Sequence, residues 1–385
     1  MNIKICLFIF LLFFSPFICF SQEASKSSNA SKKKSISRFL KNRSTEMVAE
    51  LGLSYGVSLE SEAAVALTLE WLSKNQEADG HWSSKKHSPK ETSEVDTAGT
   101  GLAILCFLSS GHNTKKGSYK NTIKKALSWL VKKQEANGRF DHRNYSNGIC
   151  TMAISEAAGM GLGGSLVKKA RNKATDYLLS QQNASGGYNY KKSNSIQRND
   201  LSITGWSLMG LRSAMLSGYK KKQIQRAFLK FSKMMDRVKG STGDHSPDTK
   251  GLAWYTSNGK SSRKGSATQA IALLLRQYQG SKKSDPWLVA ASNDLFAKQF
   301  TSYETFEVYQ SYYSSLALFE YGGEPWKNWN KKNSMILIKG QKKEGKLAGS
   351  WGSNGLCHST KGGRIVATSM ACLILQTVYR YPRMK

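Results

Sequence analysis

The sequence predicts an all-α protein in which about six helical hairpins close into an α/α toroid, with an inner and an outer ring of helices. A turn motif recurs after successive helices, which indicates a repeated helical pair. The helices that follow these turns are apolar on nearly every face, as expected of helices enclosed on all sides. No stretch of the chain sustains the alternation of a strand.

The turn motif has three clear copies, in residues 71–82, 129–140 and 177–188. In each copy an aromatic residue precedes a Gln by five positions, a Gly follows the Gln by four, and a second aromatic follows it by six. The motif Gln residues are Gln76, Gln134 and Gln182, which lie 58 and 48 residues apart. A Gly in the left-handed conformation would end the helix, and the Gln amide would bond the open backbone of the next turn.

A fourth copy begins at Ile336 and continues with Gln341 and Gly345, but its second aromatic is delayed to Trp351. Two further outer helices, at 224–238 and 286–300, have degenerate motifs. The inner helices are predicted at 97–108, 149–159, 201–216, 267–278, 306–319 and 365–379. Because these inner segments are apolar all round, they favour a closed ring over an open solenoid.

The amino terminus predicts export. Residues 1–21 combine a lone positive residue, a short apolar run and Pro16, which is typical of a signal peptide cleaved before Gln22. An uncleaved membrane anchor is the second interpretation, although the run is short for a spanning helix. Residues 22–58 are basic and without periodicity, which predicts a disordered linker. The toroid would then occupy residues 59–385 as one domain, working outside the cytoplasm.

The chain is strongly basic, with 57 Lys and Arg against 26 Asp and Glu and a formal net charge of +31. Such a charge predicts attraction to polyanions. An exported protein does not meet nucleic acid, and Lys is far commoner here than the Arg that base readout favours. We therefore expect no nucleic-acid partner, and expect the Lys-rich surface to meet an anionic cell-surface polymer or lipid head groups.

Four cysteines remain after signal cleavage, namely Cys106, Cys150, Cys357 and Cys372. Cys106 and Cys372 lie in apolar helical runs, where a buried free thiol is the usual state, so no obligatory disulfide framework is predicted. Cys357 and His358 form a weak candidate metal pair, because no partner with ligand spacing accompanies them. No metal and no cofactor are expected.

The Gln-x-x-x-Gly-x-aromatic repeat resembles the motif of the squalene–hopene cyclase and protein prenyltransferase superfamily. The resemblance runs from about residue 61 to the end. Its carboxy-terminal half is similar to secreted bacterial proteins with prenyltransferase/squalene oxidase repeats, in segments 200–206, 267–278 and 321–330 and around Trp351 and Arg364. The resemblance implies the toroid fold and says little about activity.

The family's catalytic motifs are absent from this sequence. It has no Asp-x-Asp-Asp cluster to protonate an alkene, and no Asp-Asp-x-x-Asp site for a magnesium-diphosphate substrate. No Asp lies two residues before any cysteine of the mature chain, as the zinc site of a protein prenyltransferase would require. We therefore expect a toroid that binds a ligand or partner. The alternative is an enzyme that uses the central cavity, either terpenoid-cyclase-like or acting on an acidic polysaccharide.

Asp200 is the candidate catalytic residue of that alternative, as a lone acid whose pKa is raised by desolvation at the mouth of an apolar cavity. The competing interpretation is that Asp200 caps its helix, the ordinary role of an isolated Asp before an apolar run. Asp96 has the same two interpretations. The wider set of binding or cavity candidates comprises polar and aromatic residues at turns and inner-helix starts: Asp96, Thr204, Trp206, His245, Trp254, Tyr255, Tyr309, Tyr312 and Trp351.

Two kinds of ligand follow from these candidates. Tyr309, Tyr312 and Tyr313 would suit a hydrophobic or isoprenoid ligand, since aromatic rings stabilise cationic charge, although rings at helical spacing are commonly core packing. His245, Trp254 and Tyr255, in a long Gly- and Ser-rich loop, would suit a glycan or a lid, and disorder is an equal alternative.

Overall fold

The structure is a computed structural model. It describes residues 39–89, 93–190, 199–241, 266–297, 300–353, 359–381 and 383. The predicted signal peptide, residues 22–38 of the predicted linker, and His245, Trp254, Tyr255, Cys357 and His358 lie outside these ranges. None of the described helices is long and apolar enough to cross a membrane.

All the regular secondary structure in the described residues is helical, and outer and inner helices alternate along the chain. The outer helices are α2 (Leu59–Lys74), α4 (Lys120–Lys133), α6 (Gly164–Gln181), α8 (Lys221–Ser241), α10 (Pro286–Ala297) and α12 (Gly323–Gly340). The inner helices are α3 (Asp96–Ser109), α5 (Asn144–Gly159), α7 (Leu201–Leu216), α9 (Ser266–Tyr278), α11 (Val308–Tyr321) and α13 (Ser359–Leu375). A helix α1 (Thr45–Tyr55) precedes the ring, and a short helix α14 (Thr377–Arg380) follows it.

The inner helices close a ring. Each packs against the next along the chain, and α13 packs against α3. The inner helices are buried on nearly every face. In α3, every residue from Thr97 to Ser109 is buried. The α/α toroid predicted from the sequence is therefore confirmed. All six inner helices lie within six residues of their predicted ends, with the largest differences at the starts of α5 and α13.

The motif Gln residues join neighbouring hairpins. In the first copy the Gln76 amide donates to the carbonyl of Gly80 in its own turn and to the carbonyl of Thr122 on α4, both at 2.9 Å. Gln134 and Gln182 make the same pair of bonds, reaching Ala170 on α6 and Ala227 on α8. Gln341 donates to Ala64 on α2 at 2.8 Å and so joins the last hairpin to the first. The amide thus reaches the next outer helix as well as its own turn.

The motif Gly is required at the same contact. Gly186 has φ 104°, and a Cβ there would lie 2.1 Å from the carbonyl oxygen of Lys230 on α8. In the fourth copy this role belongs to Gly349 and not to Gly345: Gly349 has φ 93° and accepts from Gln341. The extra residues therefore lie between Gln341 and Gly349, and Trp351 follows its Gly at the ordinary spacing.

The axis of the ring is filled by side chains. Trp206 stacks on Tyr312 with ring centroids 5.4 Å apart, and Tyr313 meets both rings edge-on at 5.3 Å. Nearer the carboxyl ends of the inner helices, Arg212 lies over the rings of Tyr278 and Tyr381 at 3.5 Å and 4.6 Å. The aromatic contacts join α7 to α11, two inner helices that are not neighbours along the chain of inner helices.

The side of the ring where the inner helices finish lies opposite their amino-terminal starts. Residues from the first and the last described segments of the chain close this side. Glu156 on α5 accepts from Arg43 at 2.7 Å, from Arg380 at 2.9 Å and from the Tyr381 hydroxyl at 2.6 Å. Arg380 also donates to the Tyr312 hydroxyl. We refer to Arg43, Glu156, Tyr312, Arg380 and Tyr381 as the axial network; all five are buried.

Arg43 and α1 fall in the segment that the sequence assigns to a disordered linker. That boundary is wrong, since residues 39–42 and α1 are helical and Leu40 and Val48 are buried. Burial of these few apolar residues and pairing of Arg43 supply the contacts that a polar composition conceals. Among the described cysteines, Cys106, Cys150 and Cys372 are buried free thiols.

Candidate functional site

The amino-terminal ends of the inner helices form one end of the toroid, which we call the mouth. The motif turns lead into it, because each turn connects an outer helix to the inner helix that follows. In three copies the backbone N–H of the second motif aromatic donates to a Thr hydroxyl one turn inside the inner helix: Trp82 to Thr100, Tyr188 to Thr204 and Trp351 to Thr368. The second copy uses Asn147 in place of Thr.

The residue four positions before that Thr or Asn is charged in every copy. It lies at the start of the inner helix or, in α13, directly after Gly363, where the helix is kinked. These residues are Asp96, Arg143, Asp200 and Arg364. Acidic and basic side chains thus alternate from one motif copy to the next. The turn motif therefore places a charged residue in the amino-terminal part of each of these inner helices.

A cleft of about 470 Å³ lies in the mouth between the first two motif copies. We call it the mouth cleft. Its lining combines carboxylates, cations and an aromatic ring, with Glu94, Asp96, Trp129, Asp141, His142 and Arg143 among the residues. Asp96 comes from the start of α3 and Asp141 from the turn before α5, so two successive inner-helix starts each present a carboxylate to one space.

Both carboxylates are held in place. Oδ1 of Asp96 accepts from the backbone N–H of Ser84 at 2.7 Å and from its hydroxyl at 2.6 Å. Oδ1 of Asp141 accepts from the backbone N–H of Arg143 at 3.0 Å and lies 2.9 Å from Nδ1 of His142. The Asp141 side chain is 7% exposed, whereas that of His142 is 71% exposed. Fixed acceptors beside exposed donors suit a ligand rich in hydroxyl groups.

An aromatic platform borders the mouth cleft. The Trp129 ring stacks on the His81 ring at 5.2 Å, and its indole N–H donates to Asp79 at 3.1 Å. His81 also links two carboxylates, with Nδ1 2.5 Å from Asp79 and Nε2 3.6 Å from Asp96. Burial opposes ionisation of Asp79, but the hydrogen bonds from His81 and Trp129 outweigh it and lower the pKa of the Asp79 carboxyl.

Asp200 caps its helix. It is fully buried, and Oδ1 accepts from the backbone N–H of Ile203 at 3.0 Å. This is the N-cap geometry that the sequence offered as the alternative to an acid catalyst. Thr204 is also fully buried, bonded to the carbonyl of Asp200 at 2.7 Å and to Tyr188. Neither residue lines the mouth cleft.

The other candidates divide in a similar way. Trp206 and Tyr312 pack against each other and Tyr313, whereas Tyr309 is partly exposed beside them. Burial raises the pKa of the Tyr309 hydroxyl. Trp351 is fully buried, and its indole N–H donates to Leu337 at 2.8 Å. Of the sequence candidates that the structure describes, only Asp96 lines the mouth cleft. Within the described ranges no group of three His, Cys, Asp or Glu is placed to hold a metal.

Sequence reasoning missed Trp129, Asp141 and His81. Trp129 is the first motif aromatic of its copy, and its regular position suggested a purely structural role. Asp141 directly follows the second motif aromatic, Phe140, and His81 directly precedes Trp82. The pattern that could have predicted Asp141 and His81 is a polar residue adjacent to a motif aromatic. The second motif aromatics are buried, so their neighbours in the turn lie nearer the mouth.

Comparison with known proteins agrees with the fold. The squalene-hopene cyclase C-terminal domain family matches residues 46–154. No curated protein matches the chain. The family match begins inside α1, so the similarity includes part of the segment before the ring. Together with the structural neighbours below, it fits the toroid superfamily that the repeat resembles.

The solved structures that resemble this chain include glycosidases. An inactive variant of the alpha-1,6-mannanase GH76A of Salegentibacter sp. HEL1_6, in complex with alpha-1,6-mannotriose, has a TM-score of 0.57 and 10% identity, over 83% of this chain and 99% of that one. A novel alpha-amylase from Clostridium perfringens has a TM-score of 0.54 and 13% identity, over 82% and 97%. At such identities the likeness is one of fold.

Proposed function

We propose that this protein is an exported α/α toroid that binds a glycan in the mouth cleft. The observation that carries the proposal is the lining of this cleft, which includes both Trp129 and the two acidic residues Asp96 and Asp141. An aromatic ring offers a flat apolar surface to a sugar, and carboxylates accept hydrogen bonds from its hydroxyl groups. Export is proposed from residues 1–21, whose pattern is that of a signal peptide.

The filled axis favours this location over a deep isoprenoid site. Trp206, Tyr312 and Tyr313 pack on one another where a hydrocarbon chain would need space. The mannanase neighbour binds an oligosaccharide, which supports a glycan as the class of ligand. The absent cyclase and prenyltransferase motifs agree with a ligand other than an isoprenoid.

Glycan binding is tested by isothermal titration calorimetry with two probes, α-1,6-mannan and polygalacturonate. Trp129→Ala removes the platform and Asp141→Asn removes one charge while keeping its shape. We expect each to weaken binding of the better probe about tenfold. Tyr219→Ala is the matched control, since Tyr219 is a partly exposed aromatic that follows the carboxyl end of α7, away from the mouth.

Two results would contradict the proposal. If neither probe, nor any member of a broader glycan array, binds the wild-type protein, the ligand class is wrong. If a glycan binds the wild type, and its affinity for Trp129→Ala and Asp141→Asn equals its affinity for the control Tyr219→Ala, the mouth cleft is the wrong site.

A second candidate function is hydrolysis of the bound glycan. Asp96 and Asp141 are two carboxylates from successive inner-helix starts that line one cleft, and glycosidases use such a pair as acid and base or nucleophile. Reducing-end release from the same probes would reveal it. Asp96→Asn and Asp141→Asn should each abolish release; activity that survives both changes would exclude this pair.

A further inference from the structure

A second cleft lies where the last hairpin meets the first. It encloses about 670 Å³ and is lined by Trp71, Lys74 and Asn75 at the end of α2, Lys86 and His87 in the next turn, and Lys346 in the connection before α13. We call it the seam cleft. The same closure is held by Gln341 and by the Trp71 indole, which donates to the carbonyl of Lys346 at 3.1 Å.

Positive charge exceeds negative charge around the seam cleft. Of the acids nearby, Glu70 is paired with Lys74 at 2.5 Å, and Glu77 is paired with Lys86 at 2.9 Å. Lys346 and Arg364 remain, and neither forms an ion pair within the described ranges. Arg364 is half-buried and fixed, with Nε donating to the carbonyl of His87 at 3.1 Å and Nη1 to Ser350 at 3.1 Å.

His87 has an unusual backbone at this place. Its φ is 58°, one of the positive values found at residues other than Gly in the described chain. A non-Gly residue in this region is uncommon, and such strain is concentrated at functional sites. The strained turn is held by Arg364, whose backbone N–H donates to Ser88 at 2.8 Å, and by Asn75, which lies 2.8 Å from Nε2 of His87. The turn thus presents the imidazole beside the Trp71 ring at 6.1 Å.

A shallow groove lies beside both the seam cleft and the mouth cleft. Its lining includes Asp79, His81 and Lys86. Lys86 also lines the seam cleft, while Asp79 and His81 contact Trp129 of the mouth cleft. A chain of several sugar units bound at the mouth would therefore reach the seam.

We propose that the seam cleft is a subsite for an anionic sugar unit, carrying a carboxylate or a sulfate, of the glycan that the mouth cleft binds. The proposal rests on the glycan-binding function above. Lys346 supplies a positive charge in the lining and Trp71 supplies an apolar wall. Arg364 adds a fixed charge beside the lining, where it donates to the carbonyl of His87. Because Glu70 and Glu77 are already paired with Lys74 and Lys86, an incoming anion gains the Lys346 charge without displacing an acid.

The test compares two lysines of one connection. Lys346→Gln removes a charge from the seam cleft, and Lys342→Gln removes the same charge from the same connection outside it. With polygalacturonate as probe, we expect Lys346→Gln to weaken binding about tenfold and Lys342→Gln less than about twofold. Lys346→Arg should restore affinity. Binding of α-1,6-mannan, which is neutral, should be unchanged in all three; dextran sulfate separates a preference for sulfate from one for carboxylate.

His87 provides a second readout. Burial lowers the pKa of its imidazole, as do the charges of Lys86, Arg364 and Lys346, against the opposing effect of Glu77. The Glu70–Lys74 pair of α2 also lines the seam cleft. An anion in the seam cleft should raise the pKa of His87, measured by NMR titration of its ring protons with and without polygalacturonate.

The outcomes separate the two proposals. Equal losses in Lys346→Gln and Lys342→Gln, or an unshifted His87, would overturn the seam subsite and show a diffuse surface attraction. Failure of every glycan to bind would overturn the glycan-binding function as well. Retained mannan binding in Lys346→Gln with polygalacturonate affinity reduced would support both.

Discussion

Glu156 and Arg380 form an ion pair with 2.9 Å between Oε1 and Nη2, and both side chains have no exposed surface. Glu156 belongs to α5, and Arg380 ends the short helix after the last inner helix. Arg43, from the segment before the ring, pairs with the other oxygen of Glu156 at 2.7 Å. One carboxylate thus holds both ends of the described chain against the axis of the toroid.

Replacing Glu156 by Ala should destabilise the protein by about 3–5 kcal/mol, because Arg43 and Arg380 would be left buried without a counter-charge. The measurement is the free energy of unfolding in urea. Glu70→Ala is the control: its pair with Lys74 is exposed on both sides and should cost less than about 1 kcal/mol. Similar costs for the two variants would show that the axial network contributes no more than a surface pair.

The same carboxylate predicts a loss of stability in acid. Burial opposes ionisation of Glu156, but Arg380 and Arg43 outweigh it, so the folded-state pKa lies below the ordinary value. A depressed pKa contributes stability that is present above the unfolded-state pKa and is lost as the pH falls through the folded-state value. The unfolding free energy of the wild type should therefore fall more steeply below about pH 4.5 than that of Glu156→Gln. Parallel pH profiles would contradict this.

The sequence predicted the ring but not the closure of its axis. The spacing of apolar residues and the repeated Gln and Gly residues predict the contacts between neighbouring hairpins. These contacts define the toroid. Arg43, Glu156 and Arg380 are far apart in the chain, and each looks like an ordinary surface charge in its own segment. Only the closed ring brings them together, so no local pattern could identify them.

The motif Gly residues should be intolerant of a side chain for a reason beyond their positive φ. Gly186→Ala would place a Cβ 2.1 Å from the carbonyl oxygen of Lys230. Gly218 has φ 93°, and a Cβ at this position would have no neighbouring atom within 4 Å, so Gly218→Ala should cost only the backbone strain, about 1–2 kcal/mol. We expect Gly186→Ala to cost at least about 2 kcal/mol more, because α8 must move. Thermal unfolding that shows equal costs would exclude the steric contribution.

The amide of Gln341 closes the ring through Ala64 and Thr68 on α2. Gln341→Leu should destabilise the protein by about 1–3 kcal/mol, since it leaves buried acceptors without their donor. Gln225→Leu is the matched control, because Gln225 is an exposed residue of an outer helix. If chemical denaturation shows no difference between the two, the amide contributes nothing to closure.

The candidate site was predicted less well than the fold. Asp96 was identified because it stands before an apolar helix, but Trp129 and Asp141 lie beside motif residues whose regularity has a structural explanation. Their convergence on one cleft depends on the angle between two successive hairpins. The spacing of 58 residues between Gln76 and Gln134 gives no information about this angle. Thr204 and Trp351, by contrast, are cavity candidates in the sequence because they are polar or aromatic near the mouth. Both instead form hydrogen bonds within the repeat.

Asp200 provides the sharpest distinction between a cap and a catalyst. As the N-cap of α7 it accepts from Ile203 at 3.0 Å, so Asp200→Asn should keep most of the stability while Asp200→Ala loses about 1 kcal/mol, within a range of about 0.5–2 kcal/mol. Both variants should bind the glycan probe as the wild type does, because Asp200 lies outside the mouth cleft. The measurements are unfolding in urea and calorimetric titration. Turnover of squalene by the wild type that disappears in a normally folded Asp200→Asn would instead establish Asp200 as an acid catalyst.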